Sequence, residues 1–312
     1  LSTLVIKSGG EKGFAEWQRH FAELAPGLTT QFWDDPNIDR AQADYALVWE
    51  PEPGALAAMP GLRCIFSTGA GVDHVVHDPA FPKHIPLYRM TPGGAAQRMG
   101  EFVCWAVLHL MRDGPRITAQ QRDHVWQEFT HPAANELRVG VMGLGALGAR
   151  AAEMLAGLGF QVAGWSRSAK DIPGVKSYAG EAELPAFLAR TDVLVCLLPS
   201  TPATRHILSA PLFAQLPRGA MLVNVARGAH QKIGDVLAAL DDGTLSAALI
   251  DVYETEPLPA DSPVWSHPRL VVTPHIASIP SRRERAVHVL GLIREIEAGR
   301  EPPNRYNPEI GY

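Results

Sequence analysis

Between Arg138 and Ser168 the chain reads Arg-Val-Gly-Val-Met-Gly-Leu-Gly-Ala-Leu-Gly, then a small-residue helical stretch, then Phe-Gln-Val-Ala-Gly-Trp and Ser166-Arg167-Ser168. No other segment restricts the fold as much. A short apolar strand runs into Gly143-x-Gly145-x-x-Gly148, the spacing predicts a helix over 149–158, and a second strand is expected over 160–165. Each glycine has a separate task. Gly143 permits a tight turn, Gly145 lets the backbone approach a pyrophosphate, and Gly148 lets the helix pack closely on the sheet. The loop and helix start, with Ala146 and Leu147, present N–H groups and a positive dipole end to phosphates. A strand, loop and helix in this order form a dinucleotide-binding unit. Where such a unit binds NAD, the second strand ends in Asp or Glu for the ribose hydroxyls; Ser166, Arg167 and Ser168 suit a 2′-phosphate instead. NADPH is therefore the expected cofactor, with NADH the less favoured.

The rest of the chain bounds what this unit can serve. A length of 312 residues suggests about two domains. The net charge of −5 comes without any basic stripe, which argues against nucleic acid as the main partner. Cys64, Cys104 and Cys196 sit in apolar runs without metal-ligand spacing, so they are expected to be buried thiols, and no metal site is expected. No signal region or membrane-length apolar run is present, which makes the cytoplasm the expected location.

The first hundred residues alternate strands (4–6, 45–49, 63–67) with a helix over 13–24, punctuated at Pro51-Glu52-Pro53-Gly54 and Pro92-Gly93-Gly94. Residues 95–111 then form a helix apolar on most sides, which must be buried between domains or against another subunit. Beyond the glycine loop, strands are expected at 192–198, 220–225, 247–252 and 270–273, and an amphipathic helix at 281–298. The fold class is therefore α/β, with two doubly wound parallel-sheet domains. A Rossmann-type dinucleotide domain (99–283) is inserted into a flavodoxin-like substrate domain (1–98 and 284–312).

Three of the later strands run into polar groups. They are Asn224-Val225-Ala226-Arg227-Gly228, Asp251-Val-Tyr-Glu-Thr-Glu256-Pro257, and Thr273-Pro274-His275. Doubly wound sheets bind ligands at the carboxyl ends of their strands. A fixed cation, a carboxylate and an imidazole at such ends are what reduction of a 2-oxo acid needs. The cation holds the substrate carboxylate and polarises the ketone. The imidazole gives a proton to the developing alkoxide, and the carboxylate keeps that imidazole protonated and oriented. Taken singly, each group has a plainer reading: a surface ion pair, a loop carboxylate, a turn. Together, behind a dinucleotide loop, they read as a site. His74, His77, His109, His206 and His230 lack ligand spacing and are taken as structural or exposed.

These segments resemble the D-2-hydroxyacid dehydrogenase family, and within it the glyoxylate/hydroxypyruvate reductase A type. The resemblance extends from Tyr45-Ala-Leu-Val-Trp49 to Gly311-Tyr312, and its most specific marks are Ala226-Arg227-Gly228, Asp251 through Pro259, and Thr273-Pro274-His275. It implies that Arg227 binds substrate, that Glu256 pairs with His275, and that His275 donates the proton. It also implies that Asn224 and Asp251 lie by the nicotinamide, that Val225 and Ala226 contact the cofactor, and that Leu198-Pro199 walls the adenosine. The backbone of Gly69-Ala70-Gly71-Val72 would hold the substrate carboxylate. Trp49 is either a substrate contact or core. Trp126 either reaches a partner subunit's site in a homodimer or is a surface residue. One departure stands out: just past Arg227 the family carries an apolar pair and an acid, whereas this chain has Gln231-Lys232-Ile233-Gly234. The implied activity is NADPH-dependent reduction of a small 2-oxo acid, glyoxylate or hydroxypyruvate. An NADH-linked enzyme for a bulkier acid and a non-catalytic dinucleotide sensor remain alternatives.

Overall fold

A computed structural model describes residues 2–91 and 93–309, so Pro92 of the predicted break and the Gly311-Tyr312 end of the resemblance lie outside it. The chain divides into two compact units, residues 1–94 with 280–312 and residues 95–279. The helices Ala95–Met111 and Arg282–Glu297 are each one hydrogen-bonded rod, and each belongs wholly to one unit. The second of them starts cleanly, because the Ser281 hydroxyl accepts the Glu284 N–H while the Glu284 carboxylate reaches back to Ser281.

Among the described residues the first unit holds five parallel strands: β1 (Thr3–Lys7), β2 (Thr29–Phe32), β3 (Tyr45–Val48), β4 (Cys64–Ser67) and β5 (Leu87–Tyr88), in the order β2-β1-β3-β4-β5. Their side chains alternate between two layers. Tyr45 and Leu47 pack with Trp17, Phe21 and the helix Arg282–Glu297, while Ala46 and Val48 pack with Trp33, Leu56 and Met59. The predicted return of the last helix to the first domain is thus observed.

The second unit holds seven parallel strands: β6 (Arg138–Met142), β7 (Gln161–Ser166), β8 (Lys176–Ala179), β9 (Val193–Cys196), β10 (Ala220–Asn224), β11 (Leu245–Ile250) and β12 (Leu270–Val272). Their order is β12-β11-β10-β9-β6-β7-β8. The chain starts at the inner strand β6, runs outward through β7 and β8, then returns beside β6 and runs outward the other way. The reversal lies between β6 and β9, where such sheets open a crevice at the carboxyl ends of the strands. Val193 and Val195 face the layer of the helix Ala95–Met111, and Leu194 and Cys196 face the opposite layer. Both faces are covered, which is why these strands read as unbroken apolar runs. All three cysteines are buried, and burial pushes the Cys64, Cys104 and Cys196 thiols up, Cys104 to about 11 and Cys196 to about 12.

The helix Ala95–Met111 is not buried all round. Met99, Val103, Val107 and Leu110 face the core, whereas Trp105 and Leu108 are 44% and 37% exposed.

Candidate active site

The glycine loop closes β6 with the geometry its residues allow. Gly143 has φ of 99°, a region open to glycine, and its N–H donates to Trp165 O at 2.8 Å. The helix begins at Ala146 rather than Ala149, so Ala146 and Leu147 form its first turn, whose N–H groups have no partner within the helix. A Cβ on Gly148 would stand 1.8 Å from Gly143 O, so only glycine fits there. A Cβ on Gly145 would meet no protein atom within 4 Å. The protein itself does not require glycine at that position, but a pyrophosphate lying against the loop does. The residues present therefore fit a dinucleotide. At the end of β7, the Ser166 hydroxyl donates to Ser168 O at 2.8 Å, and Arg167, Ser168 and Lys170 are exposed beside it. Leu198 is buried and Pro199 half-buried just past β9.

The ends of β10, β11 and β12 carry the chemistry. Parallel register sets Asn224 beside Ile250 and Ile250 beside Val272, so the loops bearing Arg227, Glu256 and His275 leave the sheet side by side. His275 Nδ1 and Glu256 Oε2 are 2.7 Å apart, and Tyr253 N–H donates to Glu256 Oε1 at 2.8 Å. A carboxylate accepts, so Nδ1 carries the proton of this pair. Burial pushes the Glu256 carboxyl up. The hydrogen bonds from His275 and Tyr253 N–H, with the charges of His275 and Arg227, more than offset this and hold it below the usual range. Both side chains remain about one-third exposed, at 33% and 32%.

His275 occupies the left-handed region, with φ of 54°. A histidine rarely sits there, and its surroundings hold it in place. Its N–H donates to Asp251 O at 2.8 Å. The fully buried Asp251 carboxylate accepts from Thr273 Oγ1 (2.6 Å), Ile276 N–H (2.9 Å) and Ala277 N–H (3.0 Å). Within the protein, Asp251 fixes the turn that presents the imidazole.

Arg227 is half-buried and extended, with Nη1 donating to Ala226 O at 2.8 Å. Asn224, fully buried, accepts from Ala226 N–H and donates to Arg227 O, which ties down the loop. Val225 and Ala226 are buried beneath it.

In the first unit, Gly69-Ala70-Gly71-Val72 follows β4. The buried Ser67 hydroxyl takes the Gly69 N–H at 3.0 Å and lies 3.0 and 3.1 Å from Gly69 O and Gly71 O. The Gly69 N–H is therefore engaged within the protein. Trp49, just past β3, is half-buried and packs against the His74 ring at a tilt of 32°, with centroids 4.1 Å apart. Trp126 is 95% exposed. Two cavities of this unit, about 300 and 520 Å³, are lined by none of the predicted site residues.

The sequence alone did not place two polar residues here: Gln231, which it shows only as a departure, and Ser67. His230, expected to be structural or exposed, is buried, and both His230 and Gln231 bond the Arg227 segment. A glutamine where apolar residues are expected was the available signal, since a buried amide must find partners.

A model of the NAD binding domain of D-isomer specific 2-hydroxyacid dehydrogenases matches residues 104–277. A glyoxylate/hydroxypyruvate reductase A of Enterobacter sp. (strain 638) is 38% identical over 301 residues, covering 95% of this chain and 96% of that protein. Among solved structures, a D-isomer specific 2-hydroxyacid dehydrogenase from Xanthobacter autotrophicus Py2 in complex with NADPH and MES is 40% identical. It superposes with a TM-score of 0.93 over 100% of this chain and 99% of that one. An NADPH-dependent glyoxylate/hydroxypyruvate reductase from Sinorhizobium meliloti, in complex with NADP and sulfate, is 38% identical, with a TM-score of 0.91 over 100% of both chains.

Proposed function

Because the chain belongs to the D-isomer specific 2-hydroxyacid dehydrogenase family, we propose that it reduces a small 2-oxo acid with NADPH, taking glyoxylate to glycolate and hydroxypyruvate to D-glycerate. The observation that carries this reading is the 2.7 Å Glu256–His275 pair, with Arg227 close enough to add its charge to the same carboxylate. The names and ligands of the similar enzymes support the choice of substrate and cofactor.

The chain's own residues divide the work. The Arg227 guanidinium pairs with the substrate carboxylate and draws electron density from the ketone oxygen. In the first unit, the N–H groups of Ala70, Gly71 and Val72 are suited to hold a carboxylate. When bound, the reduced nicotinamide supplies the hydride. His275 Nε2 gives its proton to the oxygen as charge develops there, and Glu256 stabilises the imidazolium before transfer and keeps Nδ1 turned away from the substrate. Arg167, with Ser166 and Ser168, takes the 2′-phosphate. In this reading residues 95–279 are the dinucleotide domain and the remainder is the substrate domain.

Assembly and location belong to the same proposal. The exposed Trp105 and Leu108 on the helix Ala95–Met111 suit a two-fold contact between copies, with Trp126 contributing to the partner's substrate site. Among the described residues no helix is long and apolar enough to cross a membrane. A cytoplasmic enzyme is our reading. The deciding assay is a panel of 2-oxo acids measured with NADPH and with NADH. Highest kcat/KM for glyoxylate or hydroxypyruvate with NADPH is expected; no turnover with any acid would overturn the proposal.

A further inference from the structure

Two buried residues outside the set assigned to the chemistry hold the Arg227 backbone from both ends. His230 is fully buried. Its Nδ1 lies 3.1 Å from Arg227 N, and its Nε2 lies 3.1 Å from Pro199 O. The first neighbour can only donate and the second can only accept, so the ring carries its proton on Nε2 and bonds through both nitrogens. It thereby links the substrate arginine to the Leu198-Pro199 segment expected against the adenosine. Gln231, 1% exposed, accepts from Asn224 Nδ2 at 3.0 Å and donates to Val252 O at 2.9 Å. Asn224 in turn donates to Arg227 O, and Tyr253, the residue after Val252, gives its N–H to Glu256. An unbroken chain of bonds therefore runs from Pro199 through Arg227 to the loop of Glu256. Gly228, between the two halves, is compulsory, since a Cβ there would stand 1.9 Å from the Tyr253 carbonyl carbon.

We propose that His230 and Gln231 are positioning residues, which set where the Arg227 guanidinium stands relative to the Glu256–His275 pair and couple that position to the cofactor-side Pro199 segment. The inference rests on the substrate role read for Arg227. A residue that merely fills the core would impair folding and every kinetic constant together. A latch on Arg227 weakens the handling of the oxo acid first, and its two bonds can be restored one at a time. The Asn side chain can place an oxygen near Nδ1, which restores the acceptor for Arg227 N–H. The longer Gln side chain can place an amide N–H near Nε2, which restores the donor to Pro199 O.

The test compares wild type, Arg227→Ala, His230→Ala, His230→Asn, His230→Gln and Gln231→Met, using purified enzyme, glyoxylate and NADPH, with thermal midpoints recorded for each. His230→Ala and Gln231→Met should raise KM for glyoxylate about tenfold or more, the scale of one buried bond lost. His230→Asn should recover KM for glyoxylate and leave KM for NADPH raised, and His230→Gln should do the reverse. Gln231→Met keeps side-chain volume and tests the clamp if the histidine variants fail to fold. A crippled Arg227→Ala beside folded His230 and Gln231 variants with wild-type KM values would overturn the inference alone. Loss of kcat and both KM values in step, with no difference between Asn and Gln, would also overturn it. An inactive wild type or an unimpaired Arg227→Ala would overturn the reading of Arg227 and this inference with it.

Discussion

At the ribose end the sign of one side chain carries the cofactor preference. Arg167 attracts a 2′-phosphate and Ser166 and Ser168 can hydrogen-bond it, while an acid there would repel it. NADPH should exceed NADH by at least about tenfold in kcat/KM, the effect of one charge-assisted bond. Arg167→Asp should reverse the preference, and a wild type that uses both cofactors equally would refute this reading of the loop. At the other end of the reaction, His275→Ala should lose about 10²–10⁴-fold in kcat, the range for a general acid, with thermal stability preserved. Glu256 adds a pH dependence whose sign follows from its depressed pKa. A carboxyl held below its ordinary value of 4.5 stabilises the fold at pH above that value, and the contribution is lost as pH falls through the lower folded-state value. Thermal midpoints of wild type and Glu256→Gln should therefore differ at pH 7 and converge toward pH 3. Parallel curves over that range would mean that Glu256 is not held down by its partners.

At the scale of elements, the last two glycines of the loop separate binding from folding. Gly145→Ala meets no protein atom, so it should keep the wild-type thermal midpoint and lose dinucleotide affinity, measured by fluorescence titration. Gly148→Ala collides with Gly143 O and should lose both. The strand under the loop has its own anchor. Asp192 accepts from Arg138 Nε, Nη2 and backbone N–H at 2.6–2.9 Å, joining the starts of β6 and β9. Burial raises the Asp192 carboxyl, but these bonds and the charges of Arg138 and Arg190 pull it lower. Asp192→Asn should cost about 1–3 kcal/mol by urea denaturation, toward the low end because Arg138 is 37% exposed and screened by water. The same elements show what was legible. Central strands such as β9 and β10 are apolar apart from the terminal Asn224, and the sequence predicts them with small boundary differences. The outer strands β2 and β8 read Thr-Thr-Gln-Phe and Lys-Ser-Tyr-Ala, half-buried or exposed, and β5 has two residues. Pairing with a neighbour, not their own pattern, makes them strands. The helix Gly114–Arg122 was missed for a similar reason: only Gly114 in it is buried, so it carries no apolar stripe.

For the molecule as a whole, sedimentation should give a dimer at micromolar concentration, and a double change of Trp105 and Leu108 to Glu should give monomers. A monomeric wild type would remove both the two-fold contact and the role of Trp126 in it. Trp126→Ala in a dimer with unchanged substrate preference would remove only the second. The division of labour between sequence and tertiary structure follows from distance along the chain. A tight turn at Gly143, a close approach at Gly148 and a cationic ribose end depend on residues within a few positions of one another, so the sequence alone determines them. Arg227, Glu256 and His275 could also be singled out one by one, because each closes its own strand end. Their mutual geometry is another matter. Glu256 meets His275 across 19 residues, and it does so because the register pairs Ile250 with Val272 and Asn224 with Ile250. His230 and Gln231 acquire partners on Pro199 and Val252 only when these parallel strands align. A hydrogen bond between distant residues is fixed by the sheet that carries both, and a single line of residues does not contain that sheet until it has folded.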